Sequence, residues 1–192
     1  MTPNDYPTIF FSDAKKWRSW LIKNHNKSDG VWLKISKKAA NVKSITRAEA
    51  LDEALCFGWI DSQSKSLDDE SFIQKYTPRR KRSIWSKVNI VHTARLIKDK
   101  KMRPSGLKQI ELAKADGRWA AAYDSPSNSS IPLDFLKELK KNKKAYTFFK
   151  TLNKTNLYSI SWRLQTAKKP ETRAKRGKAI IRMLADSQKF HP

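Results

Sequence analysis

The residues best suited to holding a ligand lie between positions 59 and 89: Trp59, Asp61, Lys65, Tyr76, Arg79, Arg80, Trp85 and Asn89. Asp61 stands at the mouth of an expected strand, and period-two alternation sets it on one face with Lys65. A carboxylate, an ammonium and the Trp59 indole together could hold a polar planar group, or move protons if burial shifted a pKa. A structural ion pair, or a carboxylate capping Thr77 or Arg79, is the plainer use of the same groups. One Asp without a neighbouring His or second acid makes a poor catalytic set, so catalytic residues stay unassigned. Further on, Arg79-Arg80-Lys81-Arg82 runs into an expected helix start at Ser83, flanked by Tyr76 and Trp85. Guanidinium forks and helix N-terminal amides bind phosphate, and the rings could stack a base or sugar. A solvated loop is the alternative.

A second cationic cluster, Lys168, Lys169, Arg173, Lys175, Arg176, Lys178 and Arg182, is opposed only by Glu171. Ala174, Gly177, Ile181 and Leu184 recur at helical spacing, which directs the cations outward. Such a helix suits nucleic acid or an anionic membrane surface, and equally a solvated face. No metal site is expected, because His25, His92 and His191 are too dispersed for a local ligand set. Glu49, Asp52 and Glu53 share a helix face that reads as solvated. Cys56 has no Cys or His near it in sequence and reads as an inert buried thiol. Phosphate-loop and nucleophile-elbow motifs are missing, and no cofactor is implied.

These side chains need a scaffold. Strands are expected at 9–11, 31–36, 60–67 and 71–77, with Asp68-Asp69-Glu70 as the turn of a hairpin. A three-residue loop would set Leu67 opposite Ser71, Lys65 opposite Ile73 and Ser62 opposite Tyr76, leaving Asp61 and Lys65 together on the other face. Ser12 is placed to cap a helix through Asn24 with Ala14, Trp17, Trp20 and Leu21 inward. Thr46 and Glu49 form a capping box, Ile45 can staple onto Ala50, and Gly58 closes that helix. From Ser83 the apolar period suggests a central helix with a narrow polar stripe at Ser86, Asn89 and Thr93. Pro104 opens another helix that Gly117 closes. The Ser-rich segment 125–130 reads as a linker, followed by helices at 132–141, 144–152, 155–168 and 170–185.

Length suits one domain or two small ones. Nothing approaches 18 consecutive apolar residues, and the first seven residues do not resemble a signal peptide, so a cytoplasmic protein is expected. The formal charge is +23, divided as +8 over residues 1–96 and +15 over 97–192. That field attracts polyanions, nucleic acid and anionic lipid among them, though a general solubility device would look similar.

Five ordered blocks carry a family resemblance: Phe57-Gly58-Trp59-Ile60-Asp61-Ser62, Tyr76-Thr77-Pro78-Arg79-Arg80, Trp85-Ser86 with Asn89, Ala115-Asp116-Gly117-Arg118-Trp119, and Leu164 through Arg173. Together they resemble the YdeI/OmpD-associated, or bacteriocin-protection, family across nearly the whole chain. The resemblance implies a bacterial cytoplasmic protein tied to survival of antimicrobial peptides and supplies no catalytic residue.

The combined expectation is an α+β protein. A small N-terminal mixed β-sheet with packed helices would occupy 1–124, and an all-helical C-terminal region 125–192. Its function would be non-catalytic binding of an anion, either nucleic acid or a phosphorylated metabolite. A small cofactor-free enzyme, with Asp61, Lys65 and Tyr76 in a pocket walled by Trp59 and Trp85, is the competing class. A helical protein-interaction module is a third.

Overall fold

The computed structural model describes residues 6–192, and the chain divides into two compact units. The first runs to Ser83 and includes Asn89–Ala120, and the second takes Ile84–Val88 with Ala121–Pro192.

In the first unit, β1 (Thr8–Phe10), β2 (Val31–Ser36), β3 (Trp59–Ser66) and β4 (Ser71–Pro78) form one sheet in the order β1-β2-β4-β3. β1 runs parallel to β2 and the other pairs are antiparallel, so the sheet is mixed. The side chains of α1 (Ala14–Asn24), α2 (Arg47–Cys56) and the aromatics of the sheet's inner face make the core. Asp13, not Ser12, caps α1, because its carboxylate accepts from the Lys16 amide at 2.9 Å while the Ser12 hydroxyl donates to Asp13. The capping box of α2 forms as its sequence demands, and Ile45 and Ala50 are both buried beside it.

Trp17 and Trp59 lie at the centre of the core, edge to face at 6.3 Å, and Tyr76 packs on Trp17 at 5.8 Å. Their indole donors are satisfied internally: Trp17 Nε1 donates to the Ala50 carbonyl and Trp59 Nε1 to that of His25. Burial without an orphaned N–H lets two indoles serve as core residues.

The hairpin departs from the expected register at one point. Lys65 faces Ile73, and the Leu67 amide donates to the Ser71 carbonyl as the three-residue turn requires. Beyond Ser64 a bulge intervenes, so Tyr76 faces Asp61 rather than Ser62. Two residues of β3, Ser62 and Gln63, then oppose one residue of β4 and lose ladder partners. The buried Gln74 amide donates to both of their carbonyls, at 3.2 and 3.1 Å. The extra residue inverts the alternation, so Asp61 lies on the core side with Tyr76 and Lys65 on the opposite face with Ile73.

α3 (Lys87–Lys98) begins after Trp85 and Ser86, which are extended rather than helical; Ser86 bridges to Tyr123 within the second unit. Nor is α3 central, since Thr93 and Leu96 are its only buried residues and Val91 is 68% exposed. The polar position turns inward because the Thr93 hydroxyl donates to the Asn89 and Ile90 carbonyls and needs no water.

α4 (Pro104–Ala115) crosses the end of α2 at Gly106. A methyl group there would lie 2.3 Å from the Cys56 carbonyl oxygen. Gly58, at φ +77°, supplies the left-handed turn that ends α2 and turns the chain into β3.

The second unit packs α5 (Leu133–Lys140), α6 (Lys143–Phe149), α7 (Lys154–Gln165) and α8 (Pro170–Ala185) around Phe135, Leu139, Ile160, Leu164, Ile180 and Leu184. Asn142 and Asn153 cap α6 and α7 through their side-chain oxygens. Buried Asn156 accepts from the amides of Phe190 and His191 and so ties down the C-terminal segment. On α8 the inward residues are Ile180 and Leu184, whereas Ala174 is exposed, so the apolar face is rotated from the one its sequence suggested. Arg173 and Arg176 turn toward the protein and are half-buried. No helix among the described residues is long and apolar enough to cross a membrane.

Gly106→Ala is expected to lower stability by about 1–3 kcal/mol, the usual cost of overpacking a tight contact. Thermal unfolding of the two proteins checks this, and an unchanged Tm would mean that α4 does not approach α2 as described.

Candidate functional site

The bulge separates the two charges that sequence periodicity joins. Asp61 meets Arg47, the first residue of α2, at 3.4 Å, and not Lys65, Thr77 or Arg79. Lys65 instead sits over the Trp32 ring, 5.1 Å from its centroid. Trp59 and Tyr76 are core residues at 1% and 0% exposure, and Trp85, at 2%, belongs to the second unit. These rings therefore do not wall an open pocket.

Tyr76 is a poor acid or base in this setting. Burial pushes its phenol far above its ordinary range, and the Asp61 carboxylate adds to the rise. Its hydroxyl makes no hydrogen bond among the described residues. Burial likewise pushes the Cys56 thiol up to about 11, with Glu53 contributing, which makes it an inert structural thiol.

Within the basic run, Arg79 and Arg80 part company. Arg79 is buried at 6% exposure and its amide donates to the Gly58 carbonyl, whereas Arg80, Lys81 and Arg82 are exposed. A tight turn closes the run, with the Ser83 amide donating to the Arg80 carbonyl and the Ser83 hydroxyl accepting from the Arg80 amide. Arg118, itself buried, donates to the Ser83 carbonyl and pairs with Asp116 at 2.7 Å. No helix N-terminus follows directly, because α3 starts at Lys87. Asn89 lies on α3, half-buried, its carbonyl taken by Thr93.

Sequence reading missed one cluster in the first unit. Asp52 of α2 accepts from His92 Nδ1 at 2.8 Å and from Arg95 at 2.6 Å. Burial alone would raise the Asp52 pKa, but hydrogen bonds from Arg95 and His92 outweigh it and hold the carboxyl below its usual range. His92 and Arg95 stand i, i+3 on one face of α3, a usable signal, but their acidic partner is 40 residues away and only the fold supplies it. Among the described residues no His, Cys, Asp and Glu group could hold a metal ion.

In the second unit α8 sorts its cations. Arg173 pairs with Asp134, and Arg176 donates to the Arg163 carbonyl at 2.8 Å, so both are structural. Lys168, Lys169, Lys175, Lys178 and Arg182 stay exposed. Lys175, Lys178 and Arg182, at i, i+3 and i+7, line a shallow groove of about 420 Å³ together with Ala179, Met183, Asp186 and Gln188.

Comparison with known families is consistent with this two-part organisation. The family described as Domain of unknown function (DUF8412) matches residues 9–109, more than half of the chain, and the chain belongs to it. Residues 128–187 match the family described as Bacteriocin-protection, YdeI or OmpD-Associated, and that part of the chain is a member. Only the last of the five sequence blocks, Leu164 to Arg173, falls inside the second match. No curated protein and no solved structure matches the chain.

Two expectations follow. Arg80→Ala should change stability by no more than about 0.5 kcal/mol, whereas Arg79→Ala should cost roughly 1–3 kcal/mol because its side chain is buried; urea unfolding distinguishes them, and equal effects would contradict the burial. Asp52, with its lowered pKa, contributes stability above the ordinary carboxyl range that is lost as pH falls through that range. Asp52→Asn should therefore cost about 1.5 kcal/mol at pH 7, the low end for charged hydrogen bonds since Arg95 is largely exposed, and much less at pH 3. Unfolding free energies at both pH values check this, and a pH-independent difference would contradict it.

Proposed function

We propose that this chain, a DUF8412 member carrying a bacteriocin-protection region, is a non-catalytic, cytoplasmic anion-binding protein whose partner is nucleic acid or a phosphorylated small molecule. The observation that carries the reading is the exposed row Lys175, Lys178 and Arg182 along the α8 groove. These three make no ion pair among the described residues, while Arg173 and Arg176 of the same helix are used internally. A helix that spends its inward cations on the fold and leaves the outward ones unneutralised presents a stripe of positive potential. Asp186 at one end of the groove reduces that potential without cancelling it.

The whole-chain charge of +23 supports the same reading through long-range attraction, and weighs against direct capture of cationic antimicrobial peptides. Protection would then act on the cell's own anionic partner rather than on the peptide. A stripe of point charges without base-edge contacts favours phosphate over sequence, so affinity should be strongly salt-dependent and weakly sequence-dependent.

Fluorescence anisotropy with a short labelled DNA duplex tests this. Binding at low salt should weaken along a log–log line whose slope is roughly −0.9 for each phosphate neutralised. Combined Lys175→Gln, Lys178→Gln and Arg182→Gln should flatten the line and leave the fold intact, since exposed cations contribute little stability. Undetectable binding at low salt, or an unchanged slope in the variant, would contradict the proposal.

A further inference from the structure

The outer face of the sheet, opposite the core, is built in two cross-strand rows. Phe10, Lys34, Ile73 and Lys65 are register partners across all four strands, and Thr8, Trp32 and Lys75 form the adjoining row. Lys65 and Lys75 both place ammonium groups over the Trp32 ring, at 5.1 and 5.6 Å, and Lys75 also lies 4.8 Å from the centroid of Tyr6. Phe10 is 43% exposed, whereas Trp32 is only 6% exposed beneath these lysines. One row thus reads Phe-Lys-Ile-Lys and the other Thr-Trp-Lys, which sets each aromatic ring directly beside a lysine.

We infer that this face binds single-stranded nucleic acid, with bases stacking on Trp32, Phe10 and Tyr6 and the phosphates meeting Lys65 and Lys75. The inference borrows its electrostatics from the polyanion reading above but locates a separate site in the first unit. Three features favour this occupant. Aromatic faces beside lysines offer both halves of a nucleotide's chemistry, a π-face for the base and a cation for the phosphate. Phe10 and Trp32 sit on neighbouring parallel strands two residues out of register, about 8 Å apart at the usual strand spacing and rise, which exceeds the roughly 3.4 Å rise of stacked bases and requires a splayed single strand. A four-stranded sheet face is also too broad to enter a duplex groove as a helix does. The groups over Trp32 are flexible, and an exposed Lys65 can move from ring to phosphate as a base takes its place. The acidic turn fixes the polarity of the site: Lys34 is 3.5 Å from Asp68, so the phosphate path runs on the Lys65 side of the row.

The test uses the full chain with labelled oligo(dT) and, as a ligand with charge but no bases, inorganic polyphosphate competing for it. Phe10→Ala with Lys65→Gln and Lys75→Gln should weaken oligo(dT) binding ten-fold or more and leave polyphosphate affinity within about two-fold. Trp32→Leu should do the same and abolish part of the tryptophan fluorescence quenching by oligo(dT); circular dichroism confirms folding, and the exposed-residue variant decides the matter if Trp32→Leu does not fold. Wild-type oligo(dT) affinity in the folded sheet variant would overturn the inference, leaving the lysines as a cover over Trp32. Loss of both ligands in the α8 triple variant alone would overturn it while the α8 reading stands. Loss of oligo(dT) in the sheet variant alone would sustain it while the α8 reading fails.

Discussion

The first unit depends on one buried amide. Gln74, fully enclosed on the core side of β4, donates to the carbonyls of Ser62 and Gln63 and so stabilises a strand one residue longer than its partner allows. An unpaired carbonyl inside a sheet costs as much as a lost hydrogen bond, and Gln74 removes two such costs while its own buried Oε1, without a partner among the described residues, offsets part of the gain. Because strand alternation has a period of two, the inserted residue decides the surroundings of everything beyond it. Asp61 is thereby turned to Arg47 and Tyr76, while Lys65, on the turn side of the bulge, keeps the register that sets it over Trp32.

The same constraint distributes charge. Inside, Trp17, Trp59 and Tyr76 form a dry aromatic core whose indole donors end on backbone carbonyls. Outside, the sheet keeps an aromatic and lysine surface, and in the second unit α8 keeps a row of unneutralised cations. Several cations are nonetheless spent on structure, with Arg18 on Glu53, Arg95 on Asp52, Arg118 on Asp116 and Arg173 on Asp134. Net charge alone does not tell these classes apart; burial and partners do.

Much of the fold was legible in the sequence. The capping box at Thr46, the glycine that ends α2, the turn at residues 68–70 and the bounds of α8 are local signals, and each forms where those residues specify it. The bulge was not legible, because its cause is a side chain ten or more residues away on another strand. The inward turn of Thr93 was also hidden, since a hydroxyl that bonds within its own helix behaves as an apolar group. For the candidate site, sequence reading found the exposed row on α8. It mistook Trp59, Tyr76 and Arg79 for surface groups, and it missed both the Asp52–His92–Arg95 cluster and the Trp32 face. In each case the decisive neighbour is distant in sequence.

Cations that serve binding and cations that serve the fold should differ in their chemical accessibility when ligand is present. Lysine acetylation of the full chain, read by mass spectrometry with and without a saturating single-stranded oligonucleotide at low salt, measures this residue by residue. The account predicts protection of Lys175 and Lys178 on α8 and of Lys65 and Lys75 on the sheet, with exposed Lys15, Lys16 and Lys108 unchanged. Uniform protection of every exposed lysine, or none at these four, would contradict it.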